Sequence, residues 1–395
     1  MPKDATTTRG GSLPDEIIVW EILVRLPPKS LLRCRSVCRS WRRVTNTHGF
    51  LLAHHGRQPS LPLFSCNNGF RYCSMLYCHS ILAFDYTATV DDDRLHVVAK
   101  LDDEFYVEAS CDGLLVLSKP NTIRSGPCLT ICNPATREHT PLGLPTDLEI
   151  LGMYSHNPTG EYRLLLQQQT HKIAGPGHER QIGCYVFALG SNQLPRYIGR
   201  QEIALGSFTL PVRMGDSLHW YPLYYPNGET PSEDEGKVVL VFDTIAESFR
   251  YMRAPIAPID SYIFEMEDTL GIHSRGYSIV NIDIWVLRNY ESEAWDLRYR
   301  VKLPVAEIMR DFGNSGDHWD LNVVSVDGGM ILLVKVDGWV FQVDNNGKLQ
   351  NNSSRHRLCL CVSGSRLKQS LVQHSFFPAL QGYVINASPF FCHVE

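Results

Sequence analysis

Val323–Gln350 reads VVSVDGGMILLVKVDGWVFQVDNNGKLQ. Asp327-Gly328 and Asp337-Gly338 divide it into three apolar runs, and Asp344 to Gly347 sets a further turn directly afterwards. Asp-Gly between apolar runs is a strong hairpin signal, because the tight turn needs positive φ and glycine supplies it without steric cost. The stretch is expected to be a β-meander. The same grammar recurs upstream. Ser110-Cys111-Asp112-Gly113 leads into LLVLS, then LTICNPATREHTPLGLP ends at Pro145. KVVLVFDTIAESFRYMRAP, Lys237 to Pro255, repeats that last unit as strand, polar turn, strand and proline-marked exit. Weaker copies begin at Ile81, Cys184 and Ile282. Their central turns fall near Asp85, Asn133, Gly190, Asp243, Asn289 and Asn345, about 45–55 residues apart, the range of four-stranded propeller blades.

Residues 63–395 are therefore expected to form a β-propeller of about six blades. RLCLCVSG and the C-terminal VINASPFF are available to close the ring and so remove exposed sheet edges. A β-sandwich of this length would not account for so regular a step.

The first sixty residues follow another pattern. Leu13–Trp41, LPDEIIVWEILVRLPPKSLLRCRSVCRSW, opens with Asp15 and Glu16, where negative charge suits a first helical turn. Val19, Ile22, Leu23 and Leu26 then fall at i, i+3, i+4 and i+7, one apolar stripe of a helix that Ile17, Ile18 and Trp20 widen. Pro27 and Pro28 end it. A second helix from about Lys29 carries Leu31, Cys34, Cys38 and Trp41 on one face, with Val37 alongside and arginines around it. Two short helices cannot bury this much apolar surface against each other, so the excess belongs to the rest of the chain or to a partner.

Leu-Pro-Asp-Glu, Glu21-Ile22-Leu23, Arg25-Leu26-Pro27, Lys29 to Arg33 and Val37-Cys38-Arg39-Ser40-Trp41 resemble an F-box of the plant form. The first helix is one residue longer than the common plant pattern, with Trp20 the extra. Downstream, CDGLLVLS, NPATRE, GMYSHNPTGEYRLLLQ, DSLHWY and VFDTIAESFRYMRAP resemble, in order, the F-box-associated domain of plant F-box proteins. The acidic run Ser232 to Glu235 and the segment Thr170 to Gln181 look like insertions of this chain's own. Residues 1–12, polar and Thr/Gly-rich, are expected to be a disordered tail, and the polar, proline-containing stretch over 56–62 a linker; the resemblance implies an F-box over 13–55 and an F-box-associated propeller over 63–395. It implies a substrate-recognition subunit of a Skp–cullin–F-box ubiquitin ligase, in the cytoplasm or nucleus, without catalytic residues or cofactor. The residues it assigns to the Skp adaptor are Leu13, Pro14, Ile17, Ile18, Ile22, Leu23 and Leu26, with Leu31, Leu32, Val37, Cys38 and Trp41. Through that adaptor the chain would reach cullin and RING subunits, while the propeller holds an unidentified protein target.

Composition fits this reading. A net charge of −5 over 395 residues gives no global pull toward nucleic acid or membrane. No apolar run approaches bilayer length. Twelve cysteines, without any C-x-x-C pair, point to reduced thiols rather than a disulfide scaffold or zinc site. Phosphate-loop, nucleophile-elbow and zinc-helix motifs are absent from the sequence. Trp220, Tyr221, Tyr224 and Tyr225 form an aromatic cluster that could anchor a target, although blade packing is the more ordinary role for such residues. A propeller enzyme or carbohydrate-binding module, and a non-degradative Skp-binding scaffold, are the competing readings.

Overall fold

The computed structural model describes residues 14–378, except 68–79, 87–93, 102–104, 120–127, 146, 169–182, 200–209, 222–236, 258–260, 267, 276–279, 313–318, 327–328, 337–338 and 356–358. Among the described residues every strand lies in one of six four-stranded antiparallel sheets. The first blade joins β1 (Ser60–Asn67), β2 (Ser80–Phe84) and β3 (Leu95–Lys100). The second holds β4 (Tyr106–Cys111), β5 (Leu114–Lys119), β6 (Cys128–Asn133) and β7 (Glu138–Leu142). The third holds β8 (Leu148–His156), β9 (Glu161–Gln168), β10 (Cys184–Ala188) and β11 (Arg196–Gly199). In the fourth are β12 (Val212–Met214), β13 (Ser217–Trp220), β14 (Val238–Asp243) and β15 (Ser248–Arg253). The fifth has β16 (Ser261–Met266), β17 (Thr269–Arg275), β18 (Asn281–Asn289) and β19 (Ala294–Lys302). The sixth has β20 (Trp319–Val326), β21 (Gly329–Val336), β22 (Trp339–Asp344) and β23 (Leu349–Arg355). Finally β24 (Cys359–Lys368) pairs with β1 and becomes the inner strand of the first blade.

Thus RLCLCVSG does close the ring, and it ties the two ends of the chain into one sheet. VINASPFF lies outside the described residues. So do the glycine turns at 327–328 and 337–338, although their flanking strands pair across them, Val326 with Gly329 and Val336 with Trp339.

The six turns that set the sequence period all occupy one structural position, the hairpin between a blade's third and fourth strands. The recurrence of Asn and Asp there has a local cause. Asn133 Oδ1 accepts from the amide of Ala135 at 3.0 Å, Asp243 Oδ1 from those of Ile245 and Ala246 at 2.8 Å, and Asn289 Oδ1 from Ser292 at 2.8 Å. A short side-chain acceptor thereby satisfies amides that a turn leaves unpaired. Arg137, Glu247 and Glu293, each four residues further on, take positive φ of 63°, 49° and 55°.

Apolar side chains fill the wedges between blades. Leu61, Leu63, Ile81 and Ala83 of the first pack with Leu115, Leu117 and Cys132 of the second. Ion pairs add to this at the rim: Glu247 of the fourth blade meets Arg163 at 2.7 Å and Arg196, both of the third.

The helical segment differs from its expected form. The first helix is α1 (Asp15–Ile17), continuing as a π turn over Ile18–Ile22 and a 3-10 turn over Leu23–Arg25. The expected second helix is two, α2 (Pro28–Cys34) and α3 (Arg39–Thr45), and α4 (His48–Arg57) follows. Cys38 caps α3, its sulfur accepting from the Trp41 amide at 3.4 Å. The linker expected over 56–62 is not present as such: α4 runs to Arg57 and β1 starts at Ser60, leaving only Gln58 and Pro59 between them.

Candidate functional site

The π turn decides what the first helix shows to solvent. A turn closed i to i+5 takes one more residue than an α turn, so the residues within and after it are rotated away from a 3.6-residue stripe. Trp20, the extra residue of the sequence reading, sits at its centre, and the Leu23 amide donates to both Ile18 and Val19 carbonyls. The stripe of Val19, Ile22, Leu23 and Leu26 is thereby split. Val19 and Leu23 turn inward at 5% and 2% exposure, whereas Ile22 faces outward at 43%. Ile17 and Trp20 are exposed to nearly the same degree, 43% and 42%.

The inward half joins a core that the helices do not complete alone. Val19, Leu23, Val24, Leu31, Phe50 and Leu51 pack around Leu371 and Val372, which follow β24, and against Ala135 in the β6–β7 turn. His54 is buried and its Nε2 lies 2.8 Å from the Leu26 carbonyl, to which Gln58 also donates at 3.2 Å. Burial lowers the His54 pKa, outweighing that hydrogen bond, so the imidazole is kept neutral.

Further contacts fix the helices to one end of the propeller. His55 Nδ1 lies 3.2 Å from the Gln369 carbonyl and its Nε2 3.7 Å from Asp112 Oδ1. Lys368 Nζ donates to the Gly56 carbonyl at 3.1 Å. Asn133 Nδ2 holds the Ser370 carbonyl at 3.0 Å. Gly113, at φ 89°, lies so close beneath that a Cβ there would stand 2.5 Å from Ser370 Cβ. The propeller is therefore part of the helices' fold, and it takes up part of the apolar surface that two short helices could not bury against each other.

The residues assigned to adaptor contact separate accordingly. Pro14, Ile17, Ile22, Val37 and Cys38 are exposed, Val37 at 66%. Ile18, Leu26, Leu32 and Trp41 are half-buried, lending one side to the core. Leu23 and Leu31 are buried at 2% and 0% and belong to the core rather than to an open face. Leu13 lies outside the described residues. Two residues outside that assigned set belong with the exposed ones: Trp20, tilted against Phe50 at 5.6 Å, and Leu52 on α4, 50% exposed. In the sequence Trp20 stands at the edge of the stripe, where the π turn leaves it exposed, and Leu52 lies on a helix whose end reads as linker.

The aromatic cluster proves to be structural where it is described. Trp220 and Tyr221 are 1% and 0% exposed. Trp220 Nε1 donates to the Leu151 carbonyl at 3.2 Å, joining the fourth blade to the third, and Tyr221 donates to the Ile256 carbonyl. This corrects their assignment to target binding. Tyr224 and Tyr225 lie outside the described residues. His219 beside them is a buried strand histidine, 2.9 Å from the Tyr290 hydroxyl, with burial pushing its imidazole down to about 4.

A cavity of about 770 Å³ runs along the propeller axis, lined by residues of the inner strands, among them Arg213, Glu265, Asp320 and Arg366, and by Asp112 in the β4–β5 turn. Asp320 pairs with Lys335 at 2.9 Å, and Asp112 with Arg213 at 3.6 Å. Burial pushes the Cys184 thiol up to about 12 and raises the Cys111 thiol as well, which keeps both protonated and poor nucleophiles. Among the described residues, no group of three or more His, Cys, Asp or Glu side chains is placed to hold a metal ion. Among them, too, no helix is long and apolar enough to cross a membrane.

Comparison with known proteins agrees with both halves of this architecture. Residues 11–55 match the F-box-like family and residues 63–333 the F-box associated beta propeller domain. F-box protein At5g49610 of Arabidopsis thaliana is 25% identical over 316 residues, covering 73% of this chain and 79% of that one. F-box protein At3g07870 of the same plant is 24% identical over 342 residues, covering 75% of each. Among solved structures, that of YjhT overlaps 74% of this chain and 99% of its own at 13% identity, with a TM-score of 0.39. With a helical F-box segment seated on a six-bladed propeller, and a match spanning most of its length, the chain belongs to the family of F-box proteins with an F-box associated β-propeller domain.

Proposed function

We propose that this chain is the substrate-recognition subunit of a Skp–cullin–F-box ubiquitin ligase. Its helices dock on a Skp-family adaptor, and its propeller holds a protein target for ubiquitination and proteasomal degradation in the cytoplasm or nucleus. The observation that carries this reading is the divided stripe of the first helix. Val19 and Leu23 complete the protein's own core, while Ile17, Trp20 and Ile22 remain exposed, as does Val37. Exposed apolar side chains clustered on short helices mark a surface kept for a partner. Pro14, Ile17, Trp20, Ile22, Val37 and Cys38 are its centre in this reading, and half-buried Ile18, Leu26, Leu32 and Trp41 its margin.

No residue of the chain makes or breaks a bond in this role. Its contribution is proximity: a target held at a fixed distance from the activated ubiquitin turns a bimolecular encounter into an effectively intramolecular one. The clamp of α4 onto Gln369, Asp112 and Lys368 suits that purpose, since a rigid seat keeps the distance constant. First-to-second and third-to-fourth strand turns, such as those at Gly113 and Asn133, lie at the helix end, so the second strand of a blade ends and the third begins at the opposite end. That opposite end is the target-facing one in this reading.

The test is co-purification of a Skp adaptor with the full chain and with Ile17→Asp/Ile22→Asp. Loss of the adaptor with an unchanged melting temperature supports the reading. Equal recovery from both proteins removes it.

A further inference from the structure

From Ile22 to Phe84 the chain contains no Asp or Glu, yet Pro28 to Arg57 contains seven Lys and Arg, on a protein whose net charge is −5. Six of those cations are exposed, and Arg33, Arg39, Arg42 and Arg43 are four of them. None has a carboxylate within 4.0 Å among the described residues. Arginines elsewhere behave differently: Arg25, Arg163, Arg196, Arg250, Arg253 and Arg300 all pair with carboxylates. Arg39, Arg42 and Arg43 stand at i, i+3 and i+4, so they share one face of α3, where like charges repel. Arg39 also opens that helix, the end at which a cation is least favourable. Local stability gives no reason for this arrangement.

We propose that the Arg39, Arg42 and Arg43 face, with Arg33 beside it, is the electrostatic half of the docking surface and receives a cluster of carboxylates on the docked protein. The proposal rests on the adaptor reading above and adds to it the charge of the surface that binds. An acidic protein fits better than a nucleic acid because Val37 and Cys38, exposed and apolar, connect α2 to α3 between the arginines. Arginine next to buried apolar area is the composition of protein interface centres, whereas a phosphate backbone would leave those side chains in water. Charges placed this way act mainly on the association rate.

The experiment measures association of the full chain with a purified Skp adaptor, from about 10 mM to 0.5 M salt. It compares wild type, Arg39→Gln/Arg42→Gln/Arg43→Gln and the triple Lys variant. Glutamine and lysine match arginine in helix propensity, so the fold is retained. The expected result is an association rate about tenfold lower for the Gln variant at low salt, little difference at high salt, and near wild-type behaviour for Lys. Equal rates and salt slopes for wild type and Gln, with the adaptor still bound, overturn the charge proposal and leave the adaptor reading standing. Absence of adaptor binding to the wild type at every salt concentration overturns both. Binding of a 20-base-pair DNA duplex that the Gln variant loses, with adaptor kinetics unchanged, overturns the proposal in favour of nucleic acid.

Discussion

Ile22 and Leu23 are neighbours of nearly equal size with opposite places in this account, so truncating each to alanine separates docking from folding. Ile22 is 43% exposed and Leu23 2%. Burying a whole Ile or Leu side chain is worth about 1.5–3 kcal/mol. More than half of Ile22 is already covered by its own fold, so about 1 kcal/mol remains for a partner to gain. Ile22→Ala should weaken adaptor binding roughly fivefold and cost about 1 kcal/mol of stability. Alanine at Ile17, Trp20, Ile22 and Val37 together should cost about 3 kcal/mol of binding, or roughly a hundredfold. Leu23→Ala opens a cavity among Val19, Leu31, Phe50 and Leu371 and should cost about 2–5 kcal/mol of stability. The assay is a calorimetric titration of the adaptor at fixed temperature, with urea midpoints for each variant. Stability losses of similar size for Ile22→Ala and Leu23→Ala would refute the divided stripe, and with it the π-turn argument.

The seat of the helices on the propeller should fail when either side of it is altered. Leu371→Ala, although far from the helices in sequence, should increase hydrogen exchange throughout α2 and α4 while β14 and β17 stay protected; unchanged exchange in the helices would contradict the shared core. Gly113→Ala should act in the same direction, losing about 2 kcal/mol or more, because its φ of 89° and the 2.5 Å approach to Ser370 leave no room for a methyl group; a neutral melting temperature would count against that contact. Glu247 is held below the ordinary carboxylate range: burial alone would raise it, but hydrogen bonds from Tyr154 and Arg163 and the charge of Arg196 prevail. Glu247→Gln should therefore lower the urea midpoint at pH 7 and have less effect as acid protonates the wild-type group, whereas a pH-independent difference would argue against the ion pairs. His219 gives a second pH signature. Burial pushes its imidazole from 6.5 to about 4, so the unfolded chain binds a proton that the folded chain does not. Its contribution is fully present above about pH 6.5 and is lost as pH falls toward 4, by about 3 kcal/mol; a His219→Gln variant with the same acid profile as wild type would refute it.

The propeller could be read from the sequence because its signal repeats. Asp85, Asn133, Gly190, Asp243, Asn289 and Asn345 mark the same hairpin in each blade, where a short side chain or a glycine meets a local backbone need. The inner strand of the first blade was legible only as an unassigned fragment, since closure pairs residues such as Ser60 and Lys368 that are far apart in the chain. The helical segment was recognised, but its orientation was not. Periodicity assumes 3.6 residues per turn, and the π turn at Ile18–Ile22 departs from that, placing Ile22 outside and Leu23 inside. Nor could a local pattern show that Leu371 and Val372 finish the core of helices more than 300 residues upstream. Trp220 and Tyr221 failed as anchors for a similar reason. An aromatic run reads alike on a rim and in a wedge between blades, and only the bond from Trp220 to Leu151 tells them apart.

The most direct measurement is sedimentation of the purified full chain with a Skp adaptor and a cullin, in parallel with Ile17→Asp/Ile22→Asp. Wild type should sediment as one complex containing a single copy of each protein, and the variant as a folded but free chain. A wild-type chain that sediments alone beside an intact adaptor–cullin pair, or a variant that assembles as wild type does, would contradict the adaptor reading.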